Sequence, residues 1–189
     1  GEEEARLIYQ GVAHSRSEPG VPRVVVDIGG GSTEVIVGAD FDILVGHSFY
    51  MGCVSTTRRF FGDGVLSKAA FSEAETHARL ELRAARRSLE AQRWEVALGA
   101  SGTCNAVSEI LRANGWTDGR ISAPGLKTLV KTLIKGTSLE ALQLPGLRED
   151  ELFFGLTGSL AVGGGQALPM TLEAVGEHGV GLRVGRQGA

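Results

Sequence analysis

Val24-Val25-Val26-Asp27-Ile28-Gly29-Gly30-Gly31-Ser32-Thr33-Glu34-Val35-Ile36-Val37 decides how the rest of the chain is read. Two β-branched runs flank a Gly-Gly-Gly-Ser-Thr turn, which predicts a hairpin of buried strands with an almost bare backbone at its tip. Consecutive glycines can set successive N–H groups into a concave receptor for phosphate oxygens. Asp27 and Glu34 stand at the two mouths of this turn. A carboxylate does not attract phosphate, so these acids make chemical sense where Mg²⁺ bridges them or where one of them orients a water. Without them, an ordinary hairpin that happens to use glycine would account for the turn equally well.

The better-known glycine loops do not fit. A Walker loop needs Lys-Ser/Thr after its last glycine and a helix behind it, and a dinucleotide fingerprint also opens a helix. Here Val35-Ile36-Val37 continues as strand.

The octapeptide Asp27-Ile28-Gly29-Gly30-Gly31-Ser32-Thr33-Glu34 resembles the second phosphate loop of the exopolyphosphatase and guanosine pentaphosphate phosphohydrolase family, within the actin-like ATPase superfamily. Three further stretches follow the family's order. Gly1-Glu2-Glu3-Glu4-Ala5-Arg6-Leu7-Ile8-Tyr9 is similar to its glutamate motif, Met51-Gly52-Cys53-Val54-Ser55 to the segment after its third strand, and Gly99-Ala100-Ser101-Gly102-Thr103 to its later glycine motif. Four collinear motifs, spread over Gly1 to about Gly185, are far more specific than any one of them.

Composition agrees with a globular body. The 189 residues are 42% hydrophobic and 22% charged, enough for one domain with a core. No apolar run reaches membrane-spanning length, and the acidic start is unlike a signal peptide, so the expectation is a cytoplasmic protein without a membrane span. Cys53 and Cys104 lack metal-ligand spacing and a framework pattern, so reduced thiols are expected. A net charge of −3 gives no electrostatic case for nucleic acid.

Taken in order, the chain opens on a helical pattern with Ala5, Leu7, Ile8 and Val12 apolar and acids in its first turn, where the helix dipole favours them. His14 to Pro22 reads as a loop. After the hairpin, Asp42 to Tyr50 is a third strand completing a meander, and Gly62-Asp63-Gly64 closes an irregular segment holding Phe60 and Phe61. Ser67 to Gln92 reads as one helix, with Phe71, Ala74, Ala78, Leu82, Ala85 and Leu89 on a stripe and Ser67 or Ser72 at its start. Its arginines alternate with glutamates, the pattern of a solvated face rather than a polyphosphate groove. Trp94 to Gly99 is a buried strand, and Ser101-Gly102-Thr103 turns it into a helix ending near Asn114. That geometry presents amides and a positive dipole end to an anion, although a hydroxyl at a helix start is often no more than a cap. Ser122 to Lys135 is an amphipathic helix stopped by Gly136, and Pro145-Gly146 is a turn. Leu152 to Val162 reads as a helix ended or kinked at Gly163-Gly164-Gly165, Thr171 to Val175 as the last strand, and Gly181 to Gly185 as resembling the family's closing motif with Val184 where that motif has Glu.

The expected architecture is α/β: a mixed sheet that starts with an antiparallel three-strand meander and is flanked by helices. The resemblance makes this a ribonuclease H-like, actin-like ATPase lobe, spanning residues 1–189 as a single domain. It further implies the second lobe of a two-lobed phosphatase, with the first lobe and any C-terminal helical domain lying elsewhere in a longer protein. By the same resemblance, Gly29, Gly30, Gly31, Ser32 and Thr33, with Gly99, Ser101, Gly102 and Thr103, bind phosphoryl oxygens. Asp27 and Glu34 hold Mg²⁺, directly or through water, and take part in catalysis. Glu4 positions or deprotonates the attacking water; apart from the resemblance it would be an exposed acid at a helix start. The implied reaction is hydrolysis of terminal phosphoanhydrides, of inorganic polyphosphate first and of guanosine pentaphosphate as the alternative, with the other lobe in cis and a second copy of the chain as partners. Sparse Trp and Tyr, none beside a glycine turn as a base-stacking shelf, favour polyphosphate. Two other readings stand beside it: an actin-like or sugar-kinase-like nucleotide-binding module without hydrolysis, and a domain whose catalysis has decayed.

Overall fold

Arg23–Ile28 forms β1, Thr33–Ala39 forms β2 and Asp42–Phe49 forms β3, an antiparallel meander in the computed structural model, which describes residues 1–15, 19–138, 142–147 and 173–174. The β-branched runs do what their side chains favour: nearly every residue of β1 and β2 is buried. β4 (Val96–Gly99) adds in parallel to β1, and β5 (Glu173–Ala174) in parallel to β4, giving a five-stranded sheet of order β3-β2-β1-β4-β5. Both the mixed sheet and its opening meander match the expectation.

Side chains alternate across a strand, and the two faces serve two cores. Val24, Val26, Ile28, Val35 and Val37 face α2 (Cys53–Phe60), α3 (Lys68–Arg83), α4 (Arg86–Glu90), α5 (Gly102–Ala113) and α6 (Ala123–Gly136). Val25, Ile36, Val96 and Leu98 face α1 (Glu2–Ser15), the one helix on that side among the described residues, through Ala5, Tyr9, Val12 and Ala13. Asp27 and Glu34 have the parity of Val25 and Ile36, so both acids lie on the α1 face.

Several local expectations need correction. The buried stripe of α1 is Ala5, Tyr9, Val12 and Ala13; Leu7 is 56% exposed, and Tyr9 fills the space that a side chain at Gly38 would need. His14 sits in the last turn of α1 with its ring 4.9 Å from that of Phe41, rather than in a loop. Ser67 caps the helix that follows it by accepting from Ala70 N. The expected single helix breaks at Ala84-Ala85, where Ala85 N bonds three residues back to Leu82 O and tightens the turn, yet the stripe from Phe71 to Leu89 is buried as expected. Its Arg79 and Arg86 pair with Glu75 and Glu90, as on a solvated face. At the end of α6 the left-handed residue is Thr137, with φ of 63°, not Gly136. Both cysteines are free and buried. The segments 152–162, 163–165 and 181–185 lie outside the described residues.

Candidate functional site

The Gly29–Ser32 turn closes with a bond from Gly29 N to Ser32 O of 3.0 Å. None of its glycines takes a left-handed φ, so the expected concave receptor must arise in another way. It arises from α2, a helix that its β-branched residues and lack of an apolar stripe concealed in the sequence. The first amides of α2 are spent on the loop: Cys53 N donates to Gly29 O at 2.8 Å, and Val54 N and Ser55 N to Gly30 O at 2.9 and 3.1 Å. In a trans peptide the N–H points opposite to the carbonyl before it. With the carbonyls of Gly29 and Gly30 turned onto α2, the amides of Gly30 and Gly31 point away from it. Among the described residues the N–H groups of Gly30, Gly31 and Ser32 have no intramolecular partner. A Cβ at Gly52 would overlap the Gly29 and Gly30 carbonyls, so this second glycine is what lets α2 dock.

Of the residues expected to bind phosphate, Gly30, Gly31 and Ser32 therefore reach the open side, and Gly29 anchors them. Thr33 does not: it is fully buried, and its hydroxyl donates to Met51 O at 2.5 Å. Ser101 caps α5 by accepting from Cys104 N and also accepts from Ile28 N, both at 3.2 Å, while Thr103 Oγ1 donates to Ile28 O at 2.9 Å. These two hydroxyls clamp the end of β1 under the loop instead of facing a ligand. Gly99 is buried within β4. The start of α5 can offer a ligand the backbone at exposed Gly102.

The three acids expected in catalysis converge. Asp27 and Glu34 are direct partners across β1 and β2, and Ser48 is the partner of Glu34 across β2 and β3. Glu34 is 1% exposed, and Ser48 Oγ donates to its Oε1 at 2.7 Å. The start of α1 rests on the same end of β3: a Cβ at Gly1 would lie 2.9 Å from that of Ser48. Burial, then the negative charges of Glu34 and Glu4, push Asp27 up to about 6. The neighbouring acids of α1 have different tasks. Glu3 holds Arg6 at 2.6 Å, whereas Glu4 makes no ion pair among the described residues and stays exposed.

Such a cluster of negative charge favours a cation, but its donors are few. Among the described residues no group of three or more His, Cys, Asp or Glu side chains is placed to hold a metal. Mg²⁺ tolerates this, since it usually keeps several waters and takes one or two carboxylates. Asp27 fits as the direct ligand. Of the two acids expected to hold Mg²⁺ directly or through water, Glu34 is buried with Oε1 taken by Ser48, whereas Asp27 is only partly buried and the better suited to direct contact.

Ser48 and the docking role of Gly52, which lies within one of the four motifs, were not read from the sequence. The signal for Ser48 was the meander itself, which sets it opposite Glu34 once the third strand is registered.

The sheet order, with a glycine turn between β1 and β2 and an acidic helix against one face, is that of the ribonuclease H-like lobe expected from the sequence. The Ppx/GppA phosphatase family model matches residues 1–161, and the chain belongs to that family. It is 40% identical over 98% of its length to the guanosine-5'-triphosphate,3'-diphosphate pyrophosphatase of Pseudoalteromonas translucida, and spans 37% of that protein. An exopolyphosphatase from Cytophaga hutchinsonii has a similar structure, with a TM-score of 0.71 at 21% identity, covering 92% of this chain and 59% of that one. The Aquifex aeolicus Ppx-GppA enzyme gives 0.66 at 20%, covering 85% and 54%. The chain thus spans little more than a third of the sequence relative and a little over half of the solved structures. No helix among the described residues is long and apolar enough to cross a membrane.

Proposed function

We propose that the chain supplies one wall of a phosphoanhydride-hydrolysing site in a longer protein, with water as the nucleophile and a terminal phosphoryl group as the electrophile. The observation that carries this is the convergence of Glu4, Asp27 and Glu34 on the face beside three partnerless amides at Gly30, Gly31 and Ser32. Phosphoryl transfer asks for positioning and charge neutralisation more than for covalent help. The amides receive phosphoryl oxygens. Glu4, exposed and unpaired, orients the attacking water and accepts its proton. Bound Mg²⁺ would neutralise charge on the phosphate chain, and Asp27 is the residue that holds it. Glu34, fixed by Ser48, keeps Asp27 in place and raises the local demand for a cation. The other wall comes from the rest of the longer protein.

The substrate that the 40% identical relative supports is guanosine 5'-triphosphate 3'-diphosphate. Inorganic polyphosphate is the second reading: the site addresses only a terminal anhydride, and Arg58 and Arg59 are exposed on α2, whose start sits on the glycine loop. Phosphate release by the full-length protein with Mg²⁺, measured on both substrates, tests the proposal. Release from neither would refute it.

A further inference from the structure

We propose that Tyr50 is a stacking platform for the base of a nucleoside polyphosphate whose terminal phosphate lies on Gly30, Gly31 and Ser32. This deepens the reading above and rests on it. Tyr50 is 93% exposed, the most exposed of the large apolar side chains among the described residues. Its backbone is nonetheless anchored on both sides. Phe49 is buried and pairs with Thr33, Met51 is buried and donates from N to Phe49 O at 2.8 Å, and Thr33 Oγ1 bonds Met51 O. Gly52 follows, packed on the glycine loop. Two residues of chain span at most about 7 Å, so the Tyr50 Cα lies within that distance of the Cα of Gly52 at the loop's rim.

Tyr50 stands one residue past the Thr33–Phe49 pair that ends the β2–β3 ladder next to the glycine turn, and no described residue covers its ring. Phe41, the other strongly exposed ring, stands at the opposite end of β3 against His14. A tyrosine suits this task because its flat ring loses little rotamer freedom on contact and its hydroxyl tolerates water. Stacking accepts any base face and does not read its edge, so the ring separates nucleotides from inorganic chains without choosing among bases. Tyr50 thus supplies a stacking shelf that the sequence did not indicate beside a glycine turn. Tyr50 is distant from Gly30 in sequence, and only the meander returns it to the loop.

The test uses the full-length protein as wild type, Tyr50→Ala and Tyr50→Phe, assayed on guanosine 5'-triphosphate 3'-diphosphate and on inorganic tripolyphosphate, which has a terminal anhydride but no base. Loss of one base–ring stack lowers kcat/KM for the nucleotide between about 5-fold and about 100-fold, through KM. Tripolyphosphate turnover stays within about twofold, and Tyr50→Phe restores the nucleotide value. Equal losses on both substrates, or a lowered Tm with no discrimination between them, would make the ring a packing surface and overturn the proposal. So would an unchanged nucleotide kcat/KM in Tyr50→Ala. If the wild type hydrolyses neither substrate, the function proposed above fails, and calorimetric titration with the same nucleotide still decides the role of Tyr50: weaker binding by Tyr50→Ala upholds it, and equal binding overturns it.

Discussion

Ser48 Oγ donates to Oε1 of Glu34 across the β2–β3 pair at 2.7 Å, and this bond holds a carboxylate that is almost wholly removed from water. A buried acceptor left without its donor costs about 1–3 kcal/mol. Ser48→Ala should lower stability by that amount, whereas Ser48→Ala made in a Glu34→Gln background should cost less, because a neutral amide is cheaper to leave unpaired. Denaturant unfolding of the four proteins of this cycle checks the coupling.

The loop makes opposite demands on two glycines. A Cβ at Gly52 has no room between α2 and the Gly29 and Gly30 carbonyls, so Gly52→Ala should destabilise by about 1–3 kcal/mol and displace the loop. A Cβ at Gly31 meets nothing within 4 Å, and φ there is not left-handed. Gly31→Ala should therefore leave Tm within a few degrees while lowering phosphate release by the full-length protein, because its methyl enters the space kept for the ligand. Melting curves and phosphate assays on both variants separate the two effects.

Much of this arrangement was legible in the sequence, and the failures share a cause. The buried hairpin, the starts of α5 and α6 near Ser101 and Ser122, and the stripe from Phe71 to Leu89 follow from local periodicity. Periodicity did not reveal α2, because Val54, Thr56 and Thr57 are poor helix formers with no apolar stripe; its docking on the glycine loop is a tertiary contact. Nor does a sequence say which way a hydroxyl beside a glycine turn points. Thr33, Ser101 and Thr103 face backbone carbonyls and amides, and only the packed structure distinguishes such clamps from ligand contacts. The convergence of Glu4 with Asp27 needed α1 to lie on the Val25 face, which the glutamate motif implied only through family resemblance.

Asp27 gives the fold a signed pH dependence. Its ordinary value near 3.8 is raised to about 6, so between those limits the folded chain binds a proton that the unfolded chain has released. The contribution to stability is fully present below about pH 4 and is lost as pH rises through about 6. Allowing for solvent screening, the swing is on the order of 1–2 kcal/mol. Asp27→Asn should abolish it, making the variant more stable than the wild type at pH 8 and nearly equal to it at pH 4. Urea unfolding at the two pH values checks the sign, and a wild type that gains from Asp27 ionisation would contradict it.

Glu4, the α1 acid whose charge acts on Asp27, serves the attacking water and not the fold in the proposed reaction. Glu4 is exposed and pairs with no cation among the described residues, so its loss should cost the structure almost nothing. The decisive measurement is kcat for phosphate release by full-length Glu4→Gln, taken together with its Tm. If Glu4 serves the water, kcat falls on the order of 10²-fold or more while Tm stays unchanged within about two degrees. A kcat equal to that of the wild type, or a loss of activity that only tracks a lower Tm, would contradict it.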